Sequence, residues 1–390
     1  MIALLAFLQF SIVLDFMILS PLGAFLMPAL AITPSEFGWV VSVYAFAAGL
    51  SGFITAGFAD RFDRKKFLLF YYTGFVLGTL LCGLAPSYTT LLVARIITGI
   101  FAGAIGSIVF SIVTDLFRFE VRGRVMGVVQ TAFAASQVLG LPLGLYFSNL
   151  YGWHAPFLLI VGVATAGGFA ILWGLRPVRG HLTPTGGGVD RSPLHHLFDT
   201  LKQPRYLFAF ATTALLSTGG FMIMPFSSAF TVNNVGISTE LLPRVYFITG
   251  IVAAVAGPLL GRATDRWGSF RLFVFGTALS ALMVWIYTHL SITPLVWMVV
   301  INSVLFVGIS ARIISSQTLL STIPDPKHRG AFMAVGASVQ QLSGGLASAL
   351  AGLIVVQEMN GQLGHFDRLG YVVIASMVFT LLMMRRLSTR

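Results

Sequence analysis

Three ionisable side chains stand inside long apolar stretches of the sequence: Asp15, Arg95 and Arg312. A charge at the middle of a bilayer costs at least about 2.5–3.5 kcal/mol, so such residues mark function or a specific partner. Asp15 is the only acid in such a position. A carboxylate facing a partly dry cavity can exchange a proton near neutrality, because burial disfavours its charge. Proton binding would then couple its movement to that of a solute. A structural acid bonded to a neighbouring helix or to water is the other reading. Arg95 heads a strip at helical spacing, Arg95, Thr98, Gly99, Ala102, Gly103 and Gly106, whose small residues admit another helix at close range. Arg95 is expected to pair with Asp15; the alternative is a snorkelling arginine near a membrane face. Arg312 lies about two-thirds of the way through its apolar segment, where anion or carboxylate binding, snorkelling and gate latching all remain open.

Other chemistries find no residues to carry them. No lysine follows a glycine, so the phosphate-binding Gly-Lys-Ser/Thr loop is missing from the sequence. Cys82 is the single cysteine, which rules out an intrachain disulfide or a thiolate metal site. His195 and His196 are adjacent and lack partners at ligand spacing. No nucleophile–base set is apparent. The expectation is no catalytic residue, no metal and no cofactor, with a proton gradient as the energy source. Uncharged polar candidates for a solute cavity are Gln9, Tyr44, Gln130, Gln137, Ser227, Tyr246, Asn302, Gln317, Gln340 and Gln341; most such residues act as interhelical glue. The 34 Phe and 13 Met offer soft walls for lipophilic ligands, or plain lipid-facing filler. A small amphipathic or lipophilic compound, cationic on account of Asp15, suits this inventory better than a sugar.

The elements that must position these residues follow from composition. Of 390 residues, 56% are hydrophobic and 9% charged, against about 25% charged in soluble domains. Apolar segments of about 20 residues recur along the chain, each long enough to cross a bilayer. Twelve spans are expected, over residues 4–30, 37–58, 67–85, 89–113, 125–148, 155–175, 206–230, 244–261, 271–290, 294–318, 331–356 and 369–385. The first is read as a span and not a signal peptide, since it lacks a basic n-region and a cleavage site. With the N-terminus inside, all of the 24 Lys and Arg residues except Arg95, Arg312, Arg244 and Arg368 fall on the cytoplasmic side. That asymmetry orients the chain with both termini cytoplasmic. It also explains the net charge of +11 without nucleic acid.

The densest charge cluster, "FADRFDRKKF" at residues 58–67, recurs. "AGFADRFDRKK" around Asp60 is matched by "LGRATDRWGSFR" around Asp265, and "EVRGRVM" from Glu120 by "KHRGAFM" from Lys327. Two signals, each about 205 residues apart, imply an internal duplication. The halves are 1–178 and 205–390, joined by a Gly-, Pro- and charge-rich linker, 179–204, in which residues 192–201 read as a short surface helix.

These signatures resemble the major facilitator superfamily. Its loop between spans two and three carries Gly-x-Leu-Ala-Asp-Arg-x-Gly-Arg-Lys, matched at Asp60, Arg61, Arg64 and Lys65 but not at Ala56 and Asp63. The second copy keeps Gly261 and Gly268 with Asp265 and Arg266. "LDFMILSPLGAFLMPAL" is similar to the first span of drug/proton antiporters, an acid followed by a proline, here Pro28. "RIITGIFAGA" resembles the Arg-x-x-x-Gly signature of span 4, and "GLPLG", Gly140 to Gly144, is a partial match to the antiporter signature of span 5; a proline-kinked, close-packed helix explains it equally. The resemblance covers the whole chain. It implies an all-α membrane protein of twelve transmembrane helices in two pseudo-symmetric six-helix bundles, rocking about a central site. It implies a cytoplasmic gate of Asp60, Arg61, Arg64, Arg118, Arg122, Asp265 and Arg266, in which Asp60 pairs with loop arginines; the plainer reading is that these charges only fix topology. It further implies a monomeric multidrug-type exporter in a cell inner membrane, with a small molecule, protons and lipids as partners. A uniporter or symporter for a sugar, organic anion or lipid, and a non-transporting receptor, are the alternatives.

Overall fold

The computed structural model describes residues 1–56, 58, 62–178, 203–325 and 329–388. Among them the only sheet is a small hairpin, Val356–Gln357 antiparallel to Leu363–Gly364. Everything else of length is helical: α1 Ile2–Ile18, α2 Gly23–Leu30, α3 Pro34–Ala56, α4 Arg64–Gly83, α5 Tyr88–Leu116, α6 Phe119–Ala135, α7 Leu141–Tyr151 and α8 Ala155–Gly174 precede the linker. After it come α9 Pro204–Ile223, α10 Ser227–Asn233, α11 Leu242–Trp267, α12 Ser269–Thr288, α13 Leu295–Ser321, α14 Arg329–Ile354 and α15 Phe366–Ser388. The linker and its expected surface helix fall outside the described residues.

Ten of the described helical segments are long and apolar enough to cross a membrane, and the bent pair α1–α2 makes an eleventh. The expected count of twelve therefore rests on α14, which is 26 residues long but carries Gln340 and Gln341 at its centre. Three spans expected to be continuous are interrupted, each beside a proline. The first bends by 56° around Pro21, which has no N–H to give and disfavours helical geometry in the residue before it. The span through Pro142 carries a π turn, Ser136–Gly140, between α6 and α7. Met224–Phe226, containing Pro225, is a 3-10 turn between α9 and α10.

Helix starts follow local chemistry. The Asp63 carboxylate accepts from the Lys65 N–H at 2.9 Å and so caps α4; that is a use for an acid where the family pattern has glycine. Ser87 and Thr90 cap α5 reciprocally.

Within the N-terminal set, α3 packs on α5, α4 on α5 and α8, and α1 on α6 and α8. In the C-terminal set, α12 packs on α13, α11 on α13, and α9 on α14 and α15. The two sets meet along α3 with α14, along α7 and its π turn with α11, and at α2 with α10. Their hydrogen bonds across this boundary, among the described residues, all lie away from the basic end that carries Arg64 and Lys65. Ser20 Oγ donates to the Met224 carbonyl, Ser228 Oγ to the Ser20 carbonyl at 3.1 Å, and Ser228 Oγ accepts from the Ala24 N–H at 3.3 Å. Ser42 Oγ donates to the Gly345 carbonyl at 2.7 Å, and Asn149 Nδ2 to the Thr239 carbonyl at 3.0 Å. Nearer the basic end the contact is apolar, with Phe53 packed against a cluster of Tyr206, Ala209, Phe210, Ile323, Phe332 and Val335.

The small residues after Arg95 do what their spacing predicts. Gly99 and Gly103 lie against the backbone of Tyr44 and Ala48, bringing α5 hard onto α3, whereas a side chain at Gly106 would meet open space. Gly103→Ala should therefore overpack this seam and lower stability by about 1–3 kcal/mol. Gly106→Ala should be neutral or stabilising by up to about 1 kcal/mol, since alanine is the better helix former. Apparent melting temperatures of the purified variants check the contrast; equal effects would contradict the close approach.

Candidate functional site

Asp15 stands three residues before the end of α1, where the helix is still regular and the proline-induced break begins. Its side chain is fully buried. Arg95, on the second turn of α5 and 1% exposed, donates from Nη1 to Asp15 Oδ2 at 3.0 Å. Thr79 Oγ1, from α4, lies 3.2 Å from Asp15 Oδ1. Tyr44, from α3, lays its ring under the guanidinium, with Arg95 Cζ 4.1 Å from the centroid. Four different helices thus converge on one buried ion pair. Within the cluster, Arg95 Nε has no hydrogen-bond partner among the described residues.

The partner expected for Arg95, Asp15, is the one it meets. Asp15 does not face a cavity: both its oxygens are engaged, by Arg95 and by Thr79, so in this state it is no free counter-ion for a cation. Arg95 does not snorkel; it is held in the interior. The geometry also explains the partial "GLPLG" match. A side chain on Gly140 would strike Leu14, and one on Gly144 would strike Ile18, so these glycines seat the π turn and α7 on the stretch of α1 that carries Asp15.

The pair is linked to the boundary between the sets. Phe16 contacts Tyr44, with centroids 5.8 Å apart, and also Phe221 of α9 at 5.7 Å. Tyr44 lies on α3, the helix that packs along α14. Sliding of one set on the other bears on Phe16 through Phe221, and through Phe16 on the Tyr44 ring that lies against Arg95.

The other expected cavity residues are scattered. Ser227 Oγ lies 3.4 Å from the Tyr246 hydroxyl, and the Ser227 carbonyl accepts from Tyr287 at 2.9 Å; this is a hydroxyl cluster on α10, α11 and α12. Gln137 lies in the π turn, its backbone against Gly250 of α11. Gln340 is exposed and Gln341 half-buried. Arg312 is buried in the C-terminal set, 4% exposed, with its Cζ 5.8 Å from the Phe273 centroid.

At the basic end, Asp60 and Arg61 lie outside the described residues. Arg64 Nε pairs with Asp115 Oδ2 at 2.9 Å, tying the start of α4 to the end of α5. The sequence reading missed Asp115 because it ended that span at 113, two residues short of it. Arg122 bonds the carbonyls of Phe117 and Thr114 at 2.9 and 2.6 Å, closing the C-terminal turn of α5. Arg118 is exposed at the start of α6. Asp265 and Arg266 are exposed in the last turn of α11 and make no ion pair among the described residues. No cluster of potential metal ligands occurs among the described residues.

Comparison with known proteins agrees with this helical architecture. The model of the Major Facilitator Superfamily matches residues 5–348. An uncharacterised MFS-type transporter of Bacillus subtilis, YceJ, is 28% identical over 278 residues, 70% of this chain and 68% of its own. Multidrug resistance protein 3 of the same organism is 35% identical over 137 residues, 35% of this chain and 27% of its own. Among solved structures, a bacterial homologue of the human lysosomal transporter Spinster superposes with a TM-score of 0.72 at 16% identity, covering 100% of this chain and 95% of its own.

Breaking a buried pair by removing one partner costs about 3–5 kcal/mol, whereas replacing both by apolar groups is often neutral. Arg95→Met alone should therefore destabilise the protein by about 3–5 kcal/mol, and Asp15→Leu with Arg95→Met should recover most of that loss. Thr79→Val should cost about 1 kcal/mol. Unfolding of the purified variants measures the cycle; strictly additive losses would show that the pair contributes nothing as a unit. The family model covers the chain from α1 into α14, and the chain belongs to the Major Facilitator Superfamily of multi-pass membrane transporters.

Proposed function

We propose that this transporter is proton-coupled and works by alternating access, exporting small amphipathic or lipophilic compounds. Twelve spans, counting α14, form two six-helix bundles over residues 1–178 and 205–390 that rock about their shared boundary. The setting is a cell inner membrane with both termini cytoplasmic.

The observation that carries this reading is the buried Asp15–Arg95 pair under Tyr44 and Phe16. While the pair is closed, Arg95 compensates the charge of the carboxylate. When the sets move and the aromatic cover shifts, the pair loosens, and a buried carboxylate without its cation is neutralised most cheaply by a proton. One proton exchanged per conformational cycle is the minimum that couples solute movement to a gradient. Export as the direction draws support from the antiporter-like span 1 and from the similarity over part of the chain to a multidrug resistance protein.

Proteoliposomes with an imposed pH gradient and a panel of amphipathic dyes test the reading. Wild type should move at least one dye in a gradient-dependent way. Asp15→Asn should reduce that flux to the level of protein-free liposomes, while keeping gradient-independent exchange of the same dye. Arg95→Lys, which keeps the charge but loses the planar fork, should retain part of the coupled flux. Gradient-driven flux in Asp15→Asn equal to wild type would overturn the proposal.

A further inference from the structure

The C-terminal set carries a buried charge that no acid compensates among the described residues. Arg312 Nε and Nη2 have no hydrogen-bond partner among the described residues, although the side chain is only 4% exposed. A guanidinium does not lose its proton in a protein, so the positive charge stays. The acids of this set stand elsewhere: Glu240 before α11, Asp265 in the last turn of α11, Asp325 after α13, Glu358 in the hairpin, and Asp367 in the first turn of α15. None shares the interior with Arg312.

The duplication shows what is missing. Ser20 bonds Met224, and Ala24 bonds Ser228, each pair separated by 204 residues. Pro21 and Pro225 break their helices at the same offset, and α1 ends at Ile18 while α9 ends at Ile223, one residue beyond that offset. In this register the counterpart of Asp15 is Gly219, with Gly220 one residue on. A Cβ added at Gly219 would stand 3.9 Å from Arg312 Nη1, 3.4 Å from Ser376 Oγ and 3.7 Å from Val373 Cγ1, which is ordinary contact and not a clash. Where the N-terminal set places a carboxylate beside an arginine, the C-terminal set has a glycine with space for a Cβ beside Nη1 of Arg312, an arginine that stands deeper in its helix than the register counterpart of Arg95, Val299.

The two unpartnered nitrogens define the chemistry that fits. Nε and Nη2 lie on one edge of the guanidinium, the fork that matches the two oxygens of a carboxylate. Phe273 stands beside the guanidinium, and Val373 and the Ser376 hydroxyl flank Gly219. We propose that the C-terminal set binds a monocarboxylate with an apolar body, its carboxylate on the Nε–Nη2 edge of Arg312, supplying the counter-ion that Asp15 supplies to Arg95. At this degree of burial the ligand enters when the helices shift, as alternating access has them do. The inference rests on the transporter reading for the ligand's being cargo. It narrows that cargo to amphipathic anions, not cations.

The test is thermal unfolding of the full-length protein in detergent with sodium benzoate, benzamide, or sodium chloride at matched ionic strength. Benzoate should give a saturable rise in apparent melting temperature of about 2–4 °C, with no rise from benzamide or chloride. Arg312→Met, which removes the uncompensated charge and keeps an apolar side chain, should fold and lose the benzoate response. Gly219→Asp should raise the melting temperature without ligand and then show no further rise. No benzoate response in wild type, an equal response to benzamide or chloride, or a response surviving in Arg312→Met would overturn the inference. Should benzoate fail to bind while gradient-driven dye flux persists, this inference falls alone. Should binding hold and the flux be absent, the proton-coupling proposal falls alone.

Discussion

A fully buried ion pair in an apolar helix set is the constraint around which this protein is arranged. Asp15 and Arg95 each carry a charge that would cost several kcal/mol to hold in the interior alone. Together, 3.0 Å apart, they offset much of that cost, but only while α1 and α5 stay in register. The supporting features can be read as means of keeping that register. Gly99 and Gly103 press α5 onto α3 so that the Tyr44 ring reaches the guanidinium. Thr79 takes the second carboxylate oxygen from α4. Gly140 and Gly144 let the π turn and α7 seat against α1 on either side of the acid. A small displacement of any of these helices changes the energy of the pair by more than it changes a contact between methyl groups, because electrostatics strengthen as the surroundings dry.

The helix sets use charge differently. The N-terminal set is internally compensated, through Asp15 with Arg95 and, at the basic end, Arg64 with Asp115. Arg312 in the C-terminal set has no such partner among the described residues. A duplicated fold starts with matching positions; here one copy of the first span bears an acid and the other two adjacent glycines. Under the two proposals made above, the N-terminal set carries the proton and the C-terminal set the solute's charge. The seam of α3 with α14 and of α7 with α11 connects them.

Much of this was legible in the sequence, and the reasons differ from residue to residue. Asp15, Arg95 and Arg312 stand out because a charge in an apolar run is rare, and hydropathy alone finds them. The helix-period spacing of Gly99 and Gly103 is likewise visible. Thr79 is not, since a threonine on an apolar helix gives no sign of which neighbour its hydroxyl meets. Asp115 was missed through a boundary error: α5 runs to Leu116, so an acid assigned to a loop belongs to the last turn of a helix. The break at Pro21 was signalled by the proline, but hydropathy averages across a bend and returned a single span. The cation-binding role expected of Asp15 finds no free carboxylate oxygen in this state, for a physical reason. Sequence position shows that an acid is buried, and not whether another side chain has already taken it.

The central claim is that Asp15 exchanges the proton that drives transport. Infrared difference spectra of the purified protein, taken between mildly alkaline and mildly acidic solution, report it directly through the carbonyl stretch of a protonated buried carboxyl group. The account requires such a band in the wild type on acidification, its loss in Asp15→Asn, and its appearance at less acidic pH when Arg95 is replaced by methionine. A band unchanged in Asp15→Asn, or the lack of any such band in wild type, would contradict it.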